Sequence, residues 1–142
     1  MSGSLLNIKK DISFGIYFSK AHTWVQKNDY GLIKIGITDY FYKRYGNVFV
    51  SGFASTDSEV KAGYKIFQIK VNQKVIDIDS PVNGIVKFVN PDILTKNISD
   101  NFGDDWIILL AAFDFLKDKV NLLSNEDYLE TVNNSFNKYQ KY

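Results

Sequence analysis

The chain of 142 residues is 45% hydrophobic and 23% charged, carries a formal net charge of +1 and contains no cysteine. That length suits one domain, which buries about 68–70% of its unfolded surface. The missing cysteines exclude disulfides, thiolate nucleophiles and cysteine metal sites and fit a reducing compartment, while the balanced charge gives no pull toward nucleic acid or an anionic membrane.

No apolar run approaches the ~20 residues of a membrane-spanning helix. Residues 1–13 lack the apolar core of a secretory signal and the arginine-rich pattern of a transit peptide. They are expected to form an unanchored N-terminal arm of a cytoplasmic protein, with residues 14–142 as a single folded domain.

Thr23-Trp24-Val25-Gln26 and Leu32-Ile33-Lys34-Ile35 are β-rich runs around a turn cluster at residues 27–31, which predicts a hairpin. Thr38 is placed as N-cap of a short helix over Tyr40–Tyr45, ended by Gly46. Residues 48–50 predict a strand, and residues 57–60 lead to a turn at Ala62-Gly63-Tyr64. Residues 66–71 then alternate, with Ile66, Gln68 and Lys70 on one face and Phe67, Ile69 and Val71 on the other. Residues 75–79 alternate again, with Val75, Asp77 and Asp79 opposite Ile76 and Ile78, and Asn72-Gln73-Lys74 between the two runs marks a turn. Asn83-Gly84 predicts a tight turn before a strand over residues 85–89. Residues 106–112 form a continuous apolar run, long enough for a strand buried on both faces, with Trp106 buried at its start. Ser124 followed by Glu126-Asp127 predicts a helix N-terminus, and Tyr128, Leu129 and Val132 fall at helical spacing.

Several segments, in order, resemble the H protein of the glycine cleavage system. They are Tyr17-Phe18-Ser19-Lys20-Ala21-His22-Thr23-Trp24-Val25, Ile35-Gly36-Ile37-Thr38-Asp39-Tyr40, Gly46-Asn47-Val48, Val60-Lys61-Ala62-Gly63, Asp77-Ile78-Asp79-Ser80-Pro81-Val82-Asn83-Gly84, Asn101-Phe102-Gly103-Asp104-Asp105-Trp106-Ile107 and Glu126-Asp127-Tyr128-Leu129-Glu130. The resemblance implies a mainly β, lipoyl/biotinyl-carrier-type barrel-sandwich hybrid with a short internal helix and a C-terminal helix. It also implies a non-catalytic carrier. A functional member holds the aminomethyl group of glycine on a lipoyl-lysine and passes between decarboxylase, aminomethyltransferase and dihydrolipoamide dehydrogenase.

In that family the modified lysine lies ten residues after the glycine of the first flank and seven before the serine of the second. Counted from Gly63 and from Ser80, both routes arrive at Gln73. Gln73 has a carboxamide nitrogen and cannot form the lipoyl amide. Lys74 is the nearby candidate, one residue out of register, and a one-residue shift along a strand turns a side chain to the other face. The family's acidic residue three before its lysine is Lys70 here, and the stretch from Asn90 to Trp106 is a few residues shorter than the family's loop beside the cleft that shelters the loaded arm. Each departure implies that the sheltering function has lapsed or changed.

His22, the only histidine, speaks against histidine metal sites or triads. It either helps line the surface that receives a lipoyl arm or is a half-buried strand histidine. Asp77, Asp79, Asp100, Asp104 and Asp105 are expected at the surface, without the buried setting acid–base catalysis needs. Two functions stay open. The first is an H-like protein that is not lipoylated, needs no cofactor and works by binding protein partners, such as glycine cleavage enzymes or lipoate–protein ligase. The second is a lipoate carrier modified at Lys74. A hydrolase or transferase using the surface acids is a third, weaker reading.

Overall fold

A computed structural model describes residues 15–95 and 105–140. The expectations for residues 1–13, for Asp100 and Asp104 and for the stretch 101–103 lie outside those residues. The strands are β1 (Ile16–Phe18), β2 (Thr23–Lys27), β3 (Ile33–Ile37), β4 (Phe49–Ser51), β5 (Glu59–Val60), β6 (Lys65–Val71), β7 (Lys74–Asp79), β8 (Gly84–Val89) and β9 (Ile108–Ala112). They form a six-stranded sheet in the order β1-β2-β3-β9-β8-β5 and a three-stranded sheet in the order β4-β6-β7. Among the described residues the strands are joined by the α-helices α1 (Tyr40–Tyr45), α2 (Phe115–Asp118) and α3 (Asn125–Gln140). This is the expected mainly β architecture with an internal and a C-terminal helix. No helix among the described residues is long and apolar enough to cross a membrane.

The alternating runs place the core between the sheets. Ile33, Ile35 and Ile37 of β3 and Ile108 and Leu110 of β9 meet Ile69 and Val71 of β6 and Ile78 of β7. Burying a side chain of this size contributes roughly 1.5–3 kcal/mol, so these paired faces fix the strand registers. A second cluster of Ile16, Phe18, Trp24 and Tyr128, with Trp106, Leu123 and Val132 against it, attaches α3 to β1. Ser124 acts as the predicted cap, its hydroxyl accepting from the Asp127 N–H at 3.1 Å.

Several expectations need correction. A register shift between Lys65 and Phe67 turns both Ile66 and Phe67 into the core, so the strict alternation begins only at Phe67. Gly84 is not in a turn. It is the first residue of β8, paired with Val60 and Ala112, and a Cβ there would collide with the Ala111 carbonyl. Trp106 precedes β9 and is only half-buried, whereas Trp24 is the fully buried tryptophan. The apolar run therefore gives a central strand that starts at Ile108, with only Ile108 and Leu110 fully enclosed. Asp105 is buried, at 1% exposure, not at the surface. The N-cap of α1 is Asp39, one residue beyond Thr38, and it forms an ion pair with Lys43 at 2.7 Å instead of a cap bond.

Candidate functional site

The β6–β7 hairpin carries the residues singled out by counting. Its ladder runs through Phe67–Ile78, Ile69–Ile76 and Val71–Lys74, so only Asn72 and Gln73 remain for the turn. Both adopt left-handed backbone, with φ of 46° and 67°. A two-residue turn with positive φ at both positions matches the twist of the flanking strands. Gln73 thus stands at the exposed crest.

Lys74 does not belong to the turn, as the sequence predicted, but opens β7. Directly paired residues of an antiparallel ladder point to the same face. Lys74 pairs with the buried Val71 and so shares the face of Ile76 and Ile78. Although exposed, it leans back over the fold, its Nζ 5.8 Å from the centre of the Tyr45 ring at the end of α1. The Arg44 guanidinium lies 5.5 Å over the same ring, and its Nε donates to the Tyr45 hydroxyl at 3.2 Å.

The outer face of the hairpin presents a different set. Phe49 pairs with Lys70, and Lys70 with Val75, which makes one row across β4, β6 and β7. Phe49 is 46% exposed and Val75 60% exposed. An open cleft of about 570 Å³ begins beside this row, walled by Tyr45, Asn47, Phe49, Lys70, Asn72 and Gln73. The next row on that face is Ser51, Gln68 and Asp77, where Asp77 accepts from the Gln68 amide at 3.0 Å. Asp77 and Asp79 are exposed, as expected.

His22 belongs to a second constellation. It lies in the turn before β2 with φ of 68°, not in a strand, and is half-buried. Its ring stacks on Tyr40 at 3.6 Å, and Nδ1 shares a 2.8 Å hydrogen bond with the Tyr128 hydroxyl. That hydroxyl also bonds the Thr38 hydroxyl at 2.6 Å, while Thr38 accepts from the Tyr40 N–H at 3.3 Å. Burial, and behind it the Arg44 charge, hold the imidazole down to about 4. Burial likewise pushes the Tyr128 phenol up to about 12. Both groups are therefore neutral at pH 7 and serve as hydrogen-bonding parts of a helix anchor. A groove of about 390 Å³ opens beside them, between Phe18 and Tyr40 on one side and Leu129 and Val132 on the other.

Counting and alternation located Gln73 and Lys70. They missed Tyr45, Phe49 and Val75, because which side chains meet across β4, β6 and α1 depends on pairing that no local pattern records. They also missed the bond from Tyr128 to His22 and Thr38, since helical spacing only groups Tyr128 with Leu129 and Val132 and does not say what they meet.

Residues 16–135 match the family model for the glycine cleavage H-protein. The chain is 32% identical over 121 residues to the "Probable glycine cleavage system H protein 1" of Saccharolobus solfataricus, covering 81% of this chain and 86% of that protein. It is 30% identical over 125 residues to the glycine cleavage system H protein of Bifidobacterium longum, covering 86% and 88%. Its fold is similar to the crystal structure of the H protein from Mycobacterium marinum, with a TM-score of 0.63 at 19% identity over 80% of this chain and 92% of that one.

Proposed function

Because the chain belongs to the glycine cleavage H-protein family, we propose that it is a non-catalytic, cytoplasmic member that is not lipoylated and acts by binding protein partners, with glycine cleavage enzymes as the first candidates. The observation that carries this reading is the turn itself. The crest of the hairpin, where an amine would project freely, holds the carboxamide of Gln73. Lys74 sits one step down the strand, on the face that turns toward Tyr45. These residues do not fit a lipoyl group at the hairpin crest. A rigid two-stranded projection with an exposed tip is still well suited to protein recognition.

The alternative, lipoate carried on Lys74, draws on one observation: the lysine is exposed beside the tip and has no ion-pair partner among the described residues. Intact-mass measurement of the protein purified from its native host separates the two. The expected result is the unmodified mass. A lipoyl adduct mapped to Lys74 overturns the proposal and establishes the alternative.

A further inference from the structure

We infer that the outer face of the hairpin tip, the row Phe49–Lys70–Val75, is a docking surface for an acidic segment of a partner protein. This rests on the reading of the chain as a partner-binding protein and specifies what the partner presents. Three observations converge on it. The first is apolar exposure at the two edges of one small sheet. Phe49 on β4 and Val75 on β7 flank Lys70 on β6 and are 46% and 60% exposed. Strands lie about 4.8 Å apart, so the row spans roughly 10 Å, the width of one extended segment with its side chains.

The second observation is charge. Lys70 is central to the row, and neither it nor Lys74 is ion-paired among the described residues. The walls of the adjoining cleft at Tyr45, Asn47, Phe49, Asn72 and Gln73 contain no carboxylate. Arg44 and Lys74, gathered at the Tyr45 ring, add positive potential behind it. The third is the chemistry of the rest of that face. The nearest acid, Asp77, is one row away and accepts from the Gln68 amide. The other acid of that face, Asp79, lies further along β7 opposite Lys65, whereas a carboxylate laid over Lys70 gains a charge-assisted contact between two apolar supports. The segment that fits therefore carries carboxylates around one apolar anchor for the Phe49 side of the cleft.

The test uses the full, unmodified chain, labelled with ¹⁵N, and a capped hexapeptide of sequence Glu-Glu-Leu-Phe-Glu-Glu. Expected are saturable amide shifts at Phe49, Lys70, Asn72, Gln73 and Val75. Lys70→Glu, at an exposed position, should weaken binding by about tenfold or more. Asp77→Asn should strengthen it, and added salt should weaken it as the Debye length falls. A peptide with Lys in place of Glu should produce no shifts. The inference is overturned if the acidic peptide causes no shifts, if the shifts map elsewhere, if Lys70→Glu binds as well as wild type, or if a uridine decamer binds this row more tightly than the peptide does. None of these readouts involves lipoate. A lipoyl adduct in the native protein therefore refutes the proposed function separately from this surface.

Discussion

Replacing Tyr128 by Phe removes one oxygen and leaves the packing in place. The ring stacks on Phe18 at 4.8 Å and is 4% exposed, so the variant creates almost no cavity. Two hydrogen bonds are lost, to Thr38 at 2.6 Å and to His22 at 2.8 Å. The Thr38 hydroxyl is itself buried, at 3% exposure, and would keep only the 3.3 Å contact from the Tyr40 N–H. A net hydrogen bond contributes about 0.5–1.5 kcal/mol, and a stranded buried partner costs more, so the sum is about 1.5–3 kcal/mol. For a chain of this size each kcal/mol moves the thermal midpoint by about 2–4 °C, which gives a fall of roughly 3–12 °C. The effect should concentrate in α3. Within residues 125–134 Tyr128 is the only buried side chain and Val132 is half-buried. Calorimetry should show the lower midpoint, and hydrogen exchange should show α3 opening more readily than β6 or β9. An unchanged midpoint with unchanged exchange in α3 would mean that the helix is held by something other than this hydroxyl. Thr38→Val, which removes one of the two bonds, should give a smaller fall.

Gln73→Lys should be modified by lipoate–protein ligase more readily than wild type, read by a lipoyl-specific blot; strong labelling of wild type that vanishes in Lys74→Ala refutes this. Trp24→Ala should cost about 3–5 kcal/mol in denaturant unfolding and exceed Trp106→Ala, because only Trp24 is fully enclosed; the reverse order would contradict the burial pattern. Gly36→Ala should also destabilise, by about 1–3 kcal/mol, since its Cβ would stand 2.5 Å from the Trp24 indole across the β2–β3 pair. Acid should weaken the fold through His22, whose folded value of about 4 lies below the usual 6.5. The unfolded chain takes up the proton first, so this contribution is complete above pH 6.5 and is lost as pH falls through about 4. With the ring partly in solvent, it amounts to about 1–2 kcal/mol. His22→Asn, which tolerates left-handed backbone, should flatten that part of the stability–pH curve, and an identical slope in the variant would remove His22 as its cause.

Much of the fold was legible because its strands carry period-two burial. Ile69, Val71, Ile76 and Ile78 announce one inward face, and the break after Val71 announces a turn. What stayed hidden depends on partners distant in sequence. Gly84 reads locally as a turn glycine, yet its place is dictated by the Ala111 backbone pressing against it. The apolar run beginning at Trp106 reads as one strand, but pairing with β3 and β8 starts only at Ile108. Asp105 reads as a surface acid because charge is the local signal, and burial is decided by the neighbours. The same limit applies to His22, whose surroundings are supplied by α1 and α3.

At the site, one residue of register separates two kinds of protein. The flanks fixed the crest at position 73, and the backbone agrees: within the β6–β7 hairpin Asn72 and Gln73 alone are left-handed, so the ladder resumes at Lys74. Once in the ladder, a side chain's direction follows parity. Lys74 must face as Val71 does, toward α1, where the Tyr45 ring receives its ammonium. Lys70 must face the other way, between Phe49 and Val75. Restoring an amine to the crest therefore needs a change of residue at 73, because moving Lys74 there would reverse every pairing along β7 and expose Ile76 and Ile78. The buried Ile78 alone makes such a slip unfavourable by about 1.5–3 kcal/mol. The core thus locks the lysine away from the crest, and the lysine that remains aimed at solvent on the outer face is Lys70, equipped for charge recognition.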